Sequence, residues 1–63
     1  MAQTTQQKII KTAEQLLWSE GYEGASLNIL VAKAGISKGG LFHYYPNKRT
    51  IMLEVLEKYF NER

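Results

Sequence analysis

The sequence predicts an all-α fold: a three-helix bundle containing a helix-turn-helix, followed by the start of a fourth, connecting helix. Three observations predict it. Apolar residues recur at helical spacing along most of the chain, and no stretch alternates strictly as a strand does. A residue type that caps helix N-termini precedes each of four such stretches, and Gly or Pro closes the first three.

The first helix is predicted to run from Thr5 to Glu20. Thr4 with Gln7 three residues later has the pattern of a capping box. Gly21 then favours a helix end at positive φ, and Tyr22 is expected to follow as an apolar anchor. One face of this segment carries the residues expected in the core, which are Ile9, Ala13, Leu16 and Leu17.

The second helix is predicted from Leu27 to Ala34, with Ser26 as its N-cap. Gly35 is expected to end it by adopting positive φ, and Ile36 to pack back onto Val31. Its apolar stripe has the spacing i, i+3, i+4, i+7 and consists of Leu27, Leu30, Val31 and Ala34.

The third helix is short, from Lys38 to Tyr44 or Tyr45, with Ser37 as its N-cap, and Pro46 closes it because the residue before a proline avoids helical angles. The fourth begins at Lys48 after the cap Asn47. Its apolar residues form two adjacent rows: Ile51, Val55 and Tyr59, and then Met52, Leu56 and Phe60.

The charges are unevenly placed, although the net charge is only +2. Residues 24–53 contain four cations and no Asp or Glu, and the flanks hold the other four cations and all six acids. A basic block of this kind suggests a polyanionic partner, with chance placement as the alternative. The four cations are Lys33, Lys38, Lys48 and Arg49.

Several function classes are excluded by composition. There is no Cys and no Asp, and His43 is the single histidine, so we expect no disulfide, no metal and no cofactor. No set of nucleophile, base and orienting residue can be assembled, which argues against an enzyme. The polar N-terminus lacks a secretory signal, and no apolar run is long enough to span a membrane, so a cytoplasmic protein is expected.

A short turn joins the second and third helices and makes them a helix-turn-helix. The third helix then opens on Ser37, Lys38, Gly39 and Gly40. Two glycines in so short a helix cost about 1 kcal/mol each relative to Ala. A tight helix crossing would be a structural reason for them. Close approach of the backbone to a DNA groove, with Lys38 reaching a phosphate or a guanine edge, would be a functional one.

Five bulky residues follow, and they cannot all face the core. Leu41 and Tyr45 share a face that we assign to the core, while His43 and Tyr44 point elsewhere. Polar aromatic side chains near lysines suit a surface that contacts phosphates and bases, and ordinary packing is the alternative for each of them, including Phe42.

Two cations stand where a helix dipole disfavours them, at the start of the fourth helix. A docked anion would explain Lys48 and Arg49, and simple solvent exposure is the alternative. Ser26 and Ser37 are caps first, and contact between a cap hydroxyl and phosphate would be a second role.

These motifs in register resemble the N-terminal domain of the TetR family of bacterial repressors. The specific part is the spacing from Gly21-Tyr22 through residues 34–39, Ala-Gly-Ile-Ser-Lys-Gly, and the aromatic cluster to Asn47-Lys48. The resemblance extends from Ile9 to about Leu56. It implies a homeodomain-like DNA-binding domain in residues 1–46, and in residues 47–63 a connector to a C-terminal domain for dimerisation and ligand binding.

The resemblance further implies a homodimer that binds palindromic double-stranded DNA and is released by a small-molecule inducer. The family's recognition helix corresponds to residues 38–44. Departures from the family pattern at Leu27 and Gly40, where Thr is common, and at Phe42, where Tyr is common, remove side-chain contacts. The DNA-binding residues so implied are Ser26, Leu27, Asn28, Ser37, Lys38, Gly39, Gly40, Phe42, His43, Tyr44 and Lys48.

A small helical protein-interaction module is the alternative function. The apolar face of the fourth helix, with Met52, Leu56, Tyr59 and Phe60, could dock a partner helix. That function needs no basic block, and it leaves the paired glycines unexplained.

Overall fold

The computed structural model describes residues 4–61 and contains four helices in that range. They are α1 (Thr5–Gly24), α2 (Leu27–Ala34), α3 (Lys38–Tyr44) and α4 (Lys48–Asn61). Helix α1 packs against both α2 and α4, and α2 packs against α3. The predicted all-α class is confirmed, and none of the described helices is long and apolar enough to cross a membrane.

All four helix starts are capped as the sequence predicts. Thr4 and Gln7 form the capping box, with N–H to side-chain oxygen distances of 3.1 Å and 2.9 Å. The side-chain oxygens of Ser26, Ser37 and Asn47 each accept the backbone N–H three residues later, at 3.2, 3.0 and 2.9 Å. Each cap satisfies one of the donors that the first turn of a helix leaves unpaired.

The end of α1 differs from the prediction. Gly21 has the expected positive φ, 79°, but α1 resumes for one more turn and ends at Gly24 rather than at Glu20. The N–H of Ala25 closes this turn on the carbonyl of Gly21, at 3.1 Å. Ala25 enters the core, whereas Tyr22, which the sequence predicts as an apolar anchor, stays 47% exposed and does not pack there.

One core joins all four helices. The first half of α4 contributes to it, and so do residues of α1 that face inward, so the start of α4 and the bundle before it share one core. The second half of α4 is different, because Leu56, Tyr59 and Phe60 are largely exposed. The buried residues are Ile9, Ile10, Ala13, Leu16, Ala25, Leu30, Leu41, Tyr45, Ile51, Met52 and Val55.

The expected division at residue 46 falls between α3 and α4, and its outer limits, residues 1 and 63, lie outside the described residues. Ile51, Met52 and Val55 of α4 are nearly inaccessible to solvent. The first two turns of α4 therefore support the helix-turn-helix physically.

Candidate nucleic-acid interface

The turn between α2 and α3 is built as the sequence predicts. Gly35 adopts φ 72° and ψ 34°, a left-handed conformation that favours Gly. Its N–H and that of Ile36 both bond to the carbonyl of Val31, at 3.0 and 3.1 Å, which closes α2. Ile36 packs partly buried against the core, and Ser37 then caps α3. Three residues thus reverse the chain and direct the start of α3 outward.

The two glycines at the start of α3 have different surroundings. A Cβ built at Gly39 would meet nothing within 4 Å. A Cβ at Gly40 would lie 3.2 Å from the Oγ of Ser37, the same oxygen that caps the helix. Packing against the Ser37 cap thus explains why a glycine stands at position 40. No contact among the described residues explains Gly39, which leaves a bare, exposed stretch of backbone next to the exposed Lys38.

The rest of α3 divides between the core and the surface as predicted. Leu41 is 0% and Tyr45 2% exposed, which confirms their assignment to the core. Phe42 and Tyr44 are both 44% exposed, and the exposed His43 ring lies edge-on to Tyr44 with centroids 5.1 Å apart. The outer surface of α3 therefore presents aromatic, imidazole and ammonium groups.

Tyr45 attaches the end of α3 to α4. Its hydroxyl donates a hydrogen bond to Oε2 of Glu54, at 2.7 Å. Burial and this hydrogen bond raise the pKa of Tyr45 to about 12, because both favour the protonated phenol. At neutral pH the phenol keeps its proton and holds the end of α3 against α4.

The start of α2 offers fewer side chains than expected. Leu27 is half-buried and packs against the core, so any DNA contact there would come from its backbone. Ser26 accepts the cap bond from Ile29, and its hydroxyl proton is left for another acceptor. Asn28 is exposed.

The start of α4 places a cation over an aromatic ring. The Nζ of Lys48 lies 4.4 Å from the centroid of the Tyr22 ring, within cation–π distance. The sequence does not predict this contact, because its pattern indicates that Tyr22 acts as an apolar anchor. The available signal was Lys48 itself, a cation at a helix N-terminus that needs a compensating partner. Arg49, next to it, is exposed.

Within residues 4–61 a single ion pair is formed, between Lys58 and Glu14, with 3.7 Å between Nζ and Oε1. The cations of the basic block thus have no carboxylate partner in the part of the chain that the structure describes. Their positive charge is available to an external anion. The surface of α3 combines the exposed Lys38, a bare helix start and the exposed rings of His43 and Tyr44, which are features of a groove-binding helix.

Comparison with known families decides what kind of domain this is. Residues 9–55 match the family model described as bacterial regulatory proteins, tetR family. The chain belongs to the tetR family. The match covers α2, α3 and the turn between them, and it ends within the half of α4 that packs in the core. The bare helix start and the Tyr22–Lys48 contact therefore lie within the matched part of this tetR-family domain.

Relatives of this tetR-family domain are named as regulators rather than enzymes. It is 36% identical over 53 residues to the HTH-type transcriptional regulator YxaF of Bacillus subtilis, covering 82% of this chain and 28% of YxaF. It is 30% identical over 56 residues to the repressor NemR of Escherichia coli, covering 89% and 28%. It is 35% identical over 54 residues to IcaR of Staphylococcus epidermidis, a negative regulator of a biofilm operon, covering 86% and 29%.

The chain thus spans less than a third of the length of these relatives. No solved structure matches it. The fold and the family make it a helix-turn-helix domain of a DNA-binding regulator.

Proposed function

We propose that this domain recognises a specific double-stranded DNA sequence through α3 and that the protein containing it is a cytoplasmic transcriptional repressor. It binds a palindromic operator as a homodimer and is released by a small molecule bound in a C-terminal domain. The relatives NemR, a repressor, and IcaR, a negative regulator, support repression.

The observation that carries the proposal is the open start of α3. Lys38 and Gly39 are exposed, and a Cβ at Gly39 would meet only open space. No packing contact within the protein requires a glycine at position 39. The absence of a side chain there would let another molecule approach the backbone closely. In a helix-turn-helix it is the N-terminal part of the second helix that enters the major groove.

The proposed DNA contacts fall into two groups: phosphate contacts, which position the domain, and base contacts, which read the sequence. Lys48, Tyr44 and the first N–H groups of α2 and α3 contact phosphates, which fixes the register of the domain on the duplex. Lys38 and His43, with the backbone at Gly39 and Gly40, read base edges. Phe42 has no hydroxyl, so its half-exposed ring makes only apolar contacts with sugars or a thymine methyl group.

The test is selection of DNA from a random-sequence duplex pool by the 63-residue chain at low salt. We expect an enriched motif that the chain prefers to a shuffled duplex. Lys38→Ala then reduces this preference, by about 1–3 kcal/mol if Lys38 makes a base contact. Lys33→Ala is the matched control, because it removes a neighbouring exposed cation of α2 that has no base-reading role. No enrichment, with no binding at low salt, would disprove the proposal.

Dimeric binding is tested by joining two copies of the chain through a flexible linker. Two half-sites spaced by one helical turn, about 10 base pairs, place both recognition helices on one face of the duplex. The linked pair should bind two enriched motifs at that spacing at least tenfold more tightly than one motif, since the second contact becomes intramolecular. Equal affinity at all spacings and orientations contradicts a palindromic operator.

A helical protein partner is the second candidate, and one observation favours it. Trp18, Leu56, Tyr59 and Phe60 are between 44% and 68% exposed, and the rings of Trp18 and Tyr59 are 5.8 Å apart. A partner that binds this face without salt dependence, together with no DNA affinity at low salt, would favour this function.

A further inference from the structure

We propose that Tyr22 is a positioning residue for DNA binding: its ring holds the Lys48 ammonium ready for a phosphate without neutralising its charge. The inference rests on the proposed function, in which Lys48 contacts the DNA backbone. Tyr22 then acts through Lys48 and need not touch DNA.

The two lysines of α4 interact with different kinds of partner on α1. Lys58 pairs with the carboxylate of Glu14, at 3.7 Å. Lys48 lies over the Tyr22 ring, 4.4 Å from its centroid, and among residues 4–61 no carboxylate oxygen is within 4.0 Å of it. One helix thus uses two different partners for its cations, a carboxylate at one end and a ring at the other.

The difference matters because of what each partner does to the charge. A carboxylate neutralises the ammonium and competes with phosphate for it. An aromatic ring attracts the cation through its quadrupole but carries no net charge, so the ammonium keeps its full attraction for an anion. The ring also compensates Lys48 for its unfavourable place at the positive end of the α4 dipole.

Gly21 brings the ring to this place. Its φ of 79° interrupts α1, and the extra turn that follows sends Ala25 into the core and leaves Tyr22 on the surface. The residue is still 47% exposed with Lys48 in contact, so the pair lies at the surface, where an anion can reach the ammonium. A helix that continued straight through position 21 would lack this change of direction.

Holding the lysine in advance lowers the entropy lost when DNA binds. A free lysine side chain has many rotamers, and ordering it at an interface opposes association. Contact with the ring restricts these rotamers before DNA arrives. Loss of the ring should therefore weaken DNA binding by about two- to tenfold, without changing how many phosphates are contacted.

The contact itself is tested without DNA, by NMR of the 63-residue chain. Ring currents should move the side-chain methylene resonances of Lys48 upfield of ordinary lysine values. Tyr22→Phe keeps the ring and should keep these shifts, whereas Tyr22→Leu should abolish them. Ordinary Lys48 shifts in the unmodified chain would overturn the inference even if the chain binds DNA.

The functional role is tested by titrating a mixed-sequence duplex of about 20 base pairs over a range of salt concentrations, because phosphate contacts need no operator. Tyr22→Phe should bind as the unmodified chain does. Tyr22→Leu should bind about two- to tenfold more weakly with the same salt slope. Tyr59→Leu is the matched control: a tyrosine of similar exposure, 51%, over which no described lysine lies.

A double-mutant cycle with Lys48→Ala separates positioning from a general structural effect. In the Lys48→Ala background, Tyr22→Leu should have no further effect, since there is no ammonium left to position. An equal loss in both backgrounds would overturn the inference and leave the proposed function intact. Failure of the unmodified chain to bind any duplex at low salt would instead disprove the proposed function.

Discussion

Replacing Gly39 by Ala should stabilise the domain and weaken DNA binding at the same time. The added methyl group meets no atom within 4 Å, so no steric cost offsets the better helix propensity of Ala. The expected gain is up to about 1 kcal/mol. For a domain of this size, 1 kcal/mol raises the melting temperature by about 4–8 °C.

The loss of binding follows from the same open space. If DNA lies against the bare backbone, the methyl group holds it away and breaks a hydrogen bond to a charged phosphate or to a base. A hydrogen bond to a charged group contributes about 1.5–3 kcal/mol, or roughly ten- to a hundredfold in affinity. Thermal unfolding followed by circular dichroism, and fluorescence anisotropy with the enriched duplex, measure the two effects on one sample.

Gly40→Ala is the matched comparison. Its methyl group would lie 3.2 Å from the Oγ of Ser37, so the cap must shift, and the gain in stability should be smaller than at Gly39. The reasoning is refuted if Gly39→Ala is more stable than the parent and binds the enriched duplex equally tightly. The bare backbone at Gly39 would then have no part in DNA binding.

Three further predictions concern the surrounding structure. The pKa of Tyr45 is about 12 in the folded state, against 10 for an unperturbed tyrosine, so the protonated phenol stabilises the fold below pH 10. Roughly 1–3 kcal/mol of this stability is lost as the pH rises through 12, and Tyr45→Phe should remove that loss. Urea unfolding across this range checks it, and parallel pH curves for both proteins would contradict it. Lys48→Ala should lower the slope of log affinity against log salt by about 0.9, and Lys58→Ala should leave it unchanged. Equal slopes for all three proteins count against a phosphate contact. Gly35→Ala should cost about 1–2 kcal/mol in unfolding experiments, because φ is 72°, and Asn at this position should recover part of it.

The sequence predicts this fold well where the governing interactions are local. Each cap at Ser26, Ser37 and Asn47 depends on an atom three residues away, so the residue type nearly determines the contact. The closure of α2 at Gly35 has the same short range. The core assignment of Leu41 and Tyr45 succeeded because five bulky residues on one helix have to be divided between two sides.

The sequence predicts less where distant parts of the chain meet. Tyr22 and Lys48 belong to different helices, and no local pattern indicates that the ring and the ammonium approach to 4.4 Å. Apolar periodicity predicts one continuous face on α4, but only its first half is buried in the core; Tyr59 and Phe60 stay exposed, although the Tyr59 ring contacts Trp18 of α1. Periodicity shows which side of a helix is apolar, and it does not show how far a partner extends along it.

The anchoring of α3 also determines how this helix moves. Its buried side chains are Leu41, at its midpoint, and its C-cap Tyr45, while the turn before Leu41 sends no side chain into the core. Local opening is easiest where few apolar contacts must break. The backbone amide of Gly40, which bonds to the Ser37 cap, should therefore exchange with solvent deuterium sooner than that of Tyr45, which bonds to the carbonyl of Leu41. The end of the helix that we propose meets DNA is the end least held by the protein, which would let it adjust its path along the groove wall.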